Sequence, residues 1–275
     1  MPLHFTKMHG LGNDFMVIDG VRQSVHLTSA DIQHLSRRDV GIGFDQCLVV
    51  SQSDQPGIDF FYHIYNADGQ AVGQCGNGAR CLARFIQAQN LSNKKTLVVA
   101  TTTTSLSLQL NEDDSVTVNM GHPDIFPERI TLTPEGEPIA LHTLNIGNPH
   151  AILMVADLAH APVQTLGKAI CEDEFFPDQT NVEFATIINP GHLNLRVYER
   201  GCGETKACGS GAVAAAAIGR RFFAMDEKIV VNLPGGELVV EWPEMNGPIF
   251  LTGPATFVYE GKLYHHQARR WDGAA

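Results

Sequence analysis

The sequence predicts an α+β fold of two pseudo-symmetric, similar halves, each a curved, mostly antiparallel sheet around a cysteine-bearing helix. Three observations carry this expectation. A strand–turn–cysteine–helix stretch occurs twice, short alternating apolar runs fill both halves, and 275 residues suit two domains. The first copy is Tyr65-Asn-Ala-Asp-Gly-Gln-Ala-Val-Gly-Gln-Cys75-Gly-Asn-Gly-Ala79, and the second is Tyr198-Glu-Arg-Gly-Cys-Gly-Glu-Thr-Lys-Ala-Cys208-Gly-Ser-Gly-Ala212. They align without a gap at an offset of 133 (208 − 75 = 133), setting Gly76, Gly78 and Ala79 on Gly209, Gly211 and Ala212. A looser repeat at offset 135 (148 − 13 = 135) sets Gly12-Asn13 on Gly147-Asn148 and Asp45-Gln46 on Thr180-Asn181.

Taken in order, residues 3–8 and 14–19 read as strands around the turn His9-Gly-Leu-Gly12. Thr28-Ser-Ala-Asp31 opens a helix to about residue 38, because a hydroxyl at Thr28 or Ser29 can accept a first-turn amide. Gly41-Ile-Gly43 ends that helix, and strands follow at 46–51 and 58–65. The first cysteine helix runs from about 77 to 89, and a meander follows at 97–100, 105–110 and 116–120. The composition changes at 121–127, which reads as a linker. The second half repeats the order, with strands at 141–146 and 151–155, a helix at 162–172, and strands at 182–188 and 193–198. Its cysteine helix spans 209–222, before strands at 229–233, 236–242 and 249–252. A last strand at 256–264 returns to the first half. The expected domains are therefore 1–120 with 256–266, then 121–255, leaving 267–275 as a frayed tail.

Composition removes several function classes. A net charge of −11 with no basic stripe argues against nucleic-acid binding. No apolar run is long enough to span a membrane, and the N-terminus lacks a signal-peptide pattern. Six cysteines without such a signal read as reduced thiols in the cytoplasm.

The chemistry concentrates where the copies agree. A cysteine at a helix start meets unpaired N–H groups and the positive end of the dipole, which favour a thiolate and a bound carboxylate. Buried, inert cysteines are common, but matched positions in two glycine-flanked loops favour a catalytic pair. Zinc-type spacing is absent, so no metal is expected. Asn13, Asn66, Asn148 and Asn181 each sit at a strand end; singly they read as turn residues, together as a binding set. His150 follows the constrained Asn148-Pro149, and Glu199-Arg200 lie opposite the Asn66 register, where substrate contact is expected. Gly78 and Gly211 are expected to serve helix packing. Two thiols related by a pseudo-twofold suit inversion of a stereocentre in the cleft between the halves, with a base on one face and an acid on the other. Nothing resembles a pyridoxal or nucleotide site.

These residues also resemble a known family. His9-Gly-Leu-Gly-Asn-Asp-Phe15, Asn66-Ala-Asp-Gly69, Cys75-Gly-Asn-Gly-Ala-Arg-Cys81, Asn148-Pro-His150, Thr180-Asn-Val-Glu183, Glu199-Arg-Gly201 and Ala207-Cys-Gly-Ser-Gly211 look like diaminopimelate epimerases along nearly the whole chain. The resemblance implies a cofactor-independent isomerase interconverting LL- and meso-2,6-diaminopimelate, for lysine and peptidoglycan synthesis, commonly as a homodimer. It implies Cys75 and Cys208 as acid/base thiols assisted by His150 and Glu199. Substrate contacts are implied from Asn13, Gln46, Asn66, Asn148, Asn181, Glu199 and Arg200, with the reacting carboxylate held by Gly76, Asn77, Gly209 and Ser210. Phe44 and Cys202 depart from the family pattern, which usually has a small residue and Ala there. A proline racemase-like enzyme, a thiol redox protein and a non-catalytic amino-acid-binding protein are the alternatives.

Overall fold

The computed structural model of the chain describes residues 2–73 and 75–264, so the tail expected at 267–275 lies outside the described residues. The described residues divide into two compact units, one of 2–116 with 254–264 and the other of 117–253. The fold is mixed α+β and mostly sheet, with four α-helices among the described residues.

The first unit contains β1 (Leu3–Gly10), β2 (Asn13–Asp19), α1 (Ser29–Ser36), β3 (Gln46–Gln52), β4 (Phe60–Asn66), β5 (Ala71–Val72), α2 (Gly76–Ala88), β6 (Thr96–Ala100) and β7 (Ser105–Leu110). The second follows β8 (Val116–Asn119) with β9 (Asp124–Ile125), β10 (Ile130–Leu132), β11 (Ile139–Asn145), β12 (Pro149–Met154), α3 (Val163–Cys171), β13 (Asn181–Asn189) and β14 (His192–Glu199). It continues through β15 (Gly203–Thr205), α4 (Gly209–Phe222), β16 (Lys228–Leu233), β17 (Gly236–Glu241) and β18 (Phe250–Gly253), and β19 (Thr256–Leu263) pairs antiparallel with β1.

The repeat seen in sequence reappears as strand pairing. In the first unit β2 pairs parallel with β3, β3 antiparallel with β4, β4 antiparallel with β5 and parallel with β6, and β6 antiparallel with β7. In the second, β12, β13, β14, β15, β16 and β17 take the same relations in the same order. The alternation in β4 and β14 buries every second side chain, as a half-buried strand requires.

Local chemistry explains the boundaries. Thr28 caps α1 in a reciprocal box: its hydroxyl accepts from the Asp31 N–H at 3.2 Å and its own N–H donates to Asp31 at 2.8 Å. The helix stops at Ser36, short of residue 38, because Arg37 is extended and the N–H groups of Ile42 and Gly43 both take the Leu35 carbonyl. Phe44 is buried in the core of the first unit with Phe5, Met16, Ile18 and Ile32. The second core gathers Leu141, Ile170, Val182 and Phe184.

Four short strands escape the sequence reading. The segment expected as a linker carries β9, which pairs with β11. β10 pairs with β11, while β5 and β15 fold the two glycine-rich turns back onto β4 and β14. Strands of two or three residues are too short to show a period. No helix among the described residues is long and apolar enough to cross a membrane.

Candidate active site

Each cysteine is a helix N-cap. Cys75 and Cys208 have extended backbones (φ −153° and −123°), and each sulfur accepts a hydrogen bond from the third helical amide. Gly78 N–H donates to Cys75 Sγ at 3.2 Å and Gly211 N–H to Cys208 Sγ at 3.4 Å. Sulfur thus takes the place of the side-chain oxygen that usually caps a helix. Gly76 and Gly209 are the first helical residues, so the first-turn N–H groups open beside each sulfur. Glycine is required two positions later. A Cβ at Gly78 would stand 2.5 Å from the Tyr62 hydroxyl, and one at Gly211 would stand 2.9 Å from Glu183 Oε1. The packing role expected for these glycines is therefore a close approach to the groups beneath the cap.

In the first unit the predicted residues form two short chains. Asn77 Nδ2 donates to Asn13 Oδ1 at 3.4 Å, and Asn13 Nδ2 donates to Asp45 Oδ2 at 2.9 Å. Gln46 Nε2 donates to Asn66 Oδ1 at 2.8 Å, while Gln46 Oε1 is buried with no hydrogen-bond partner among the described residues. Arg80 is fully buried, with Nη2 donating to Asn77 Oδ1 at 2.9 Å. Burial lowers its pKa, opposed by the Cys81 and Cys75 sulfurs. Arg38 bridges Asp14 and Asp45 at 2.8 Å each, and Lys7 reaches Asp14 at 2.6 Å. Burial alone would raise Asp14, but Arg38 and Lys7 outweigh it and hold the carboxyl well below its ordinary range.

The second unit gathers the rest. His150 and Glu183 are both fully buried, with Nδ1 of the ring 2.7 Å from Glu183 Oε1. His150 Nε2 lies 3.1 Å from Asn148 Oδ1, Asn148 Nδ2 donates to Ser210 Oγ at 3.4 Å, and Ser210 Oγ is 3.5 Å from Cys208 Sγ. Asn181 accepts from the Arg200 N–H at 3.1 Å and donates to the Pro149 carbonyl at 3.3 Å. The Arg200 guanidinium donates to the Asp178 carbonyl at 2.8 Å. Glu199 accepts from the Thr205 hydroxyl.

Electrostatics differ by residue. Burial pushes the Cys208 thiol well above its ordinary range, helped by the Glu199 and Glu183 carboxylates and opposed by Ser210 and the Gly211 amide. Burial and the neighbouring carboxylates therefore favour the thiol form of Cys208. Burial also raises Glu199, against donors from Thr205 and Cys208. A capped thiol beside a carboxyl with a raised pKa is a device for holding and releasing one proton.

Five residues whose side chains bond the predicted set lie outside it: Tyr62, Arg80, Asp45, Glu183 and Thr205. Tyr62 donates to the Cys75 carbonyl at 3.2 Å. Glu183 had a legible signal, because the repeat aligns it with apolar Leu48 (183 − 135 = 48). Thr205 had none beyond nearness to Cys208.

Comparison with known proteins follows the same residues. The family model described as "Diaminopimelate epimerase" matches residues 5–126 and 142–258. The diaminopimelate epimerases of Legionella pneumophila strains Paris and Corby are each 56% identical to the chain, over 96% of it and 99% of their own length. Among solved structures, a hydroxyproline epimerase from Agrobacterium vitis matches with a TM-score of 0.72 at 14% identity, over 95% of this chain and 92% of that one. A phenazine biosynthesis protein of the PhzF family from Bacillus anthracis matches with a TM-score of 0.71 at 16% identity, over 96% of this chain and 99% of that one. The two structures share the fold, and the sequence matches reach every cysteine-cap and asparagine position described above: the chain belongs to the diaminopimelate epimerase family.

Proposed function

We propose that the chain interconverts LL- and meso-2,6-diaminopimelate by proton transfer at one α carbon. The observation that carries this reading is the pair of repeat-related cysteines, each capping a helix with its sulfur on the third amide. Inversion needs a base on one face of the carbon and an acid on the other. Cys208, whose surroundings favour the thiol, enters as the acid, and Cys75 takes the part of the base. The α proton passes to the Cys75 thiolate while the Cys208 thiol gives its proton to the opposite face, and the roles exchange in reverse. His150 and Glu199 assist the two sulfurs.

The first-turn amides at Gly76, Asn77, Gly209 and Ser210 hold the reacting carboxylate at the positive helix ends. Asn13, Gln46, Asn66, Asn148, Asn181, Glu199 and Arg200 exceed what one amino-acid head can use, so they serve both heads. Arg200 takes the distal carboxylate, and the orphaned Gln46 Oε1 supports an ammonium donor from the substrate. The family resemblance supports a cytoplasmic homodimer that needs no pyridoxal phosphate and supplies lysine and peptidoglycan precursors. The test is deuterium uptake from D2O at the diaminopimelate α carbon without added cofactor, with kcat/KM compared for diaminopimelate, lysine and proline. A site built to bond a polar group rejects its absence by about 10⁴–10⁵-fold, so lysine is nearly inert, and Arg200→Met loses most of the preference. Lysine or proline turning over as well as diaminopimelate would contradict the reading.

A further inference from the structure

Positions 150 and 183 break the repeat beneath the cysteine helices. At offset 135, His150 aligns with Phe15 and Glu183 with Leu48 (150 − 135 = 15; 183 − 135 = 48). Strand register agrees: Phe15 lies on Gln46 and Val17 on Leu48, as His150 lies on Asn181 and Ile152 on Glu183. All four side chains are fully buried. The cap glycines face the same pair of positions, since a Cβ at Gly78 would meet Leu48 Cδ1 at 3.3 Å and one at Gly211 would meet Glu183 Oε1 at 2.9 Å. One copy fills this space with hydrocarbon, and the other fills it with an imidazole and a carboxylate. Burying two ionisable groups carries a desolvation penalty that an apolar pair avoids. The first copy shows that the fold is built without them.

We infer that Glu183 is a positioning residue for the epimerase reaction: its hydrogen bond to Nδ1 holds the His150 ring toward the Asn148–Ser210 chain that ends at Cys208 Sγ. This rests on the function proposed above. Glu183 Oε1 lies 2.7 Å from Nδ1, and Nε2 lies 3.1 Å from Asn148 Oδ1. Asn148 Nδ2 donates to Ser210 Oγ at 3.4 Å, and that hydroxyl is 3.5 Å from the sulfur. A carboxylate accepts from an Nδ1–H, which fixes the ring's orientation and leaves Nε2 facing Asn148. An amide cannot pass a proton, so the chain orients and does not relay. The charged or titratable groups also bearing on this locus are Glu199 from β14 and the Cys208 thiol at the cap of α4.

The experiment uses the full chain with ¹⁵N-labelled histidine. In wild type the ¹⁵N shifts place a proton on His150 Nδ1, whereas Glu183→Gln, whose amide can donate as well as accept, no longer fixes it there. In that variant kcat falls on the order of 10²-fold, within the range of a lost acid–base contribution, with KM changed less than about twofold. The double variant His150→Phe with Glu183→Leu installs the other copy's pair, so it melts no lower than wild type while epimerisation is lost. A wild-type ring with no proton on Nδ1 overturns the inference even if no variant folds. So does Glu183→Gln with wild-type kcat, or a double variant that keeps turnover. A wild-type protein that exchanges no α proton on diaminopimelate refutes the epimerase reading instead, and the ring spectrum still tests whether Glu183 fixes the Nδ1 proton of His150.

Discussion

Gly211→Ala tests how tightly the second cap is built. In an ordinary helix interior this change stabilises by about 1 kcal/mol, because alanine is the better helix former. Here the added Cβ would lie 2.9 Å from Glu183 Oε1 and 3.3 Å from both Cβ and Sγ of Cys208. Neither neighbour can move into solvent, since Glu183 is fully buried and Cys208 is 5% exposed. Overpacking of this kind costs about 1–3 kcal/mol. Shifting the carboxylate also strains its 2.7 Å bond to His150, and a charged hydrogen bond contributes about 1.5–3 kcal/mol. Subtracting the helix gain leaves a net loss of about 1.5–5 kcal/mol. Thermal melting and turnover of the purified variant measure it, and both should fall. A variant that melts at or above wild type with unchanged kcat would refute the close-approach argument.

Three further outcomes follow from the electrostatics. Iodoacetamide should modify Cys208 in the unliganded protein only at a pH above the onset of an ordinary free thiol, and Glu199→Gln should move that onset downward by removing a repelling carboxylate; modification at pH 7 as fast as that of a free thiol would contradict a raised pKa. Thr205→Val removes a donor that lowers Glu199, so the group titrates higher still and any limb of the kcat/KM profile that reports it shifts to higher pH; an unmoved profile would take Glu199 out of the rate. Asp14 is held below its ordinary range in the fold, so it contributes stability that is complete above about pH 4 and is lost as pH falls toward the folded value. Asp14→Asn should accordingly be less stable than wild type at pH 7, with the gap closing in acid, as urea unfolding at a series of pH values would show.

What was legible in the sequence was what recurs. Two glycine-flanked cysteines at a fixed offset placed both helix caps, because a cap is a local arrangement of a few consecutive residues. Alternation found the longer strands, whose faces are sorted between core and solvent. The short strands β5, β9, β10 and β15 were hidden, since their pairing is decided by the neighbouring strand and not by their own pattern. Among site residues, Asn13 and Asn148 stood out through the repeat. Asp45, the partner of Asn13, and Glu183, the partner of His150, are reached only through the sheet, across 32 and 33 residues of sequence. Phe44, a departure from the family pattern, is buried in the core with Met16 and Ile32.

The central claim is that two thiols share one inversion. Cys75→Ala and Cys208→Ala, made singly, should each lose net conversion in both directions, whether the assay starts from LL- or meso-diaminopimelate, while remaining folded by circular dichroism. Loss of one acid or base should lower turnover by at least about 10²–10⁴-fold. Near-normal inversion by either variant would contradict the two-thiol account.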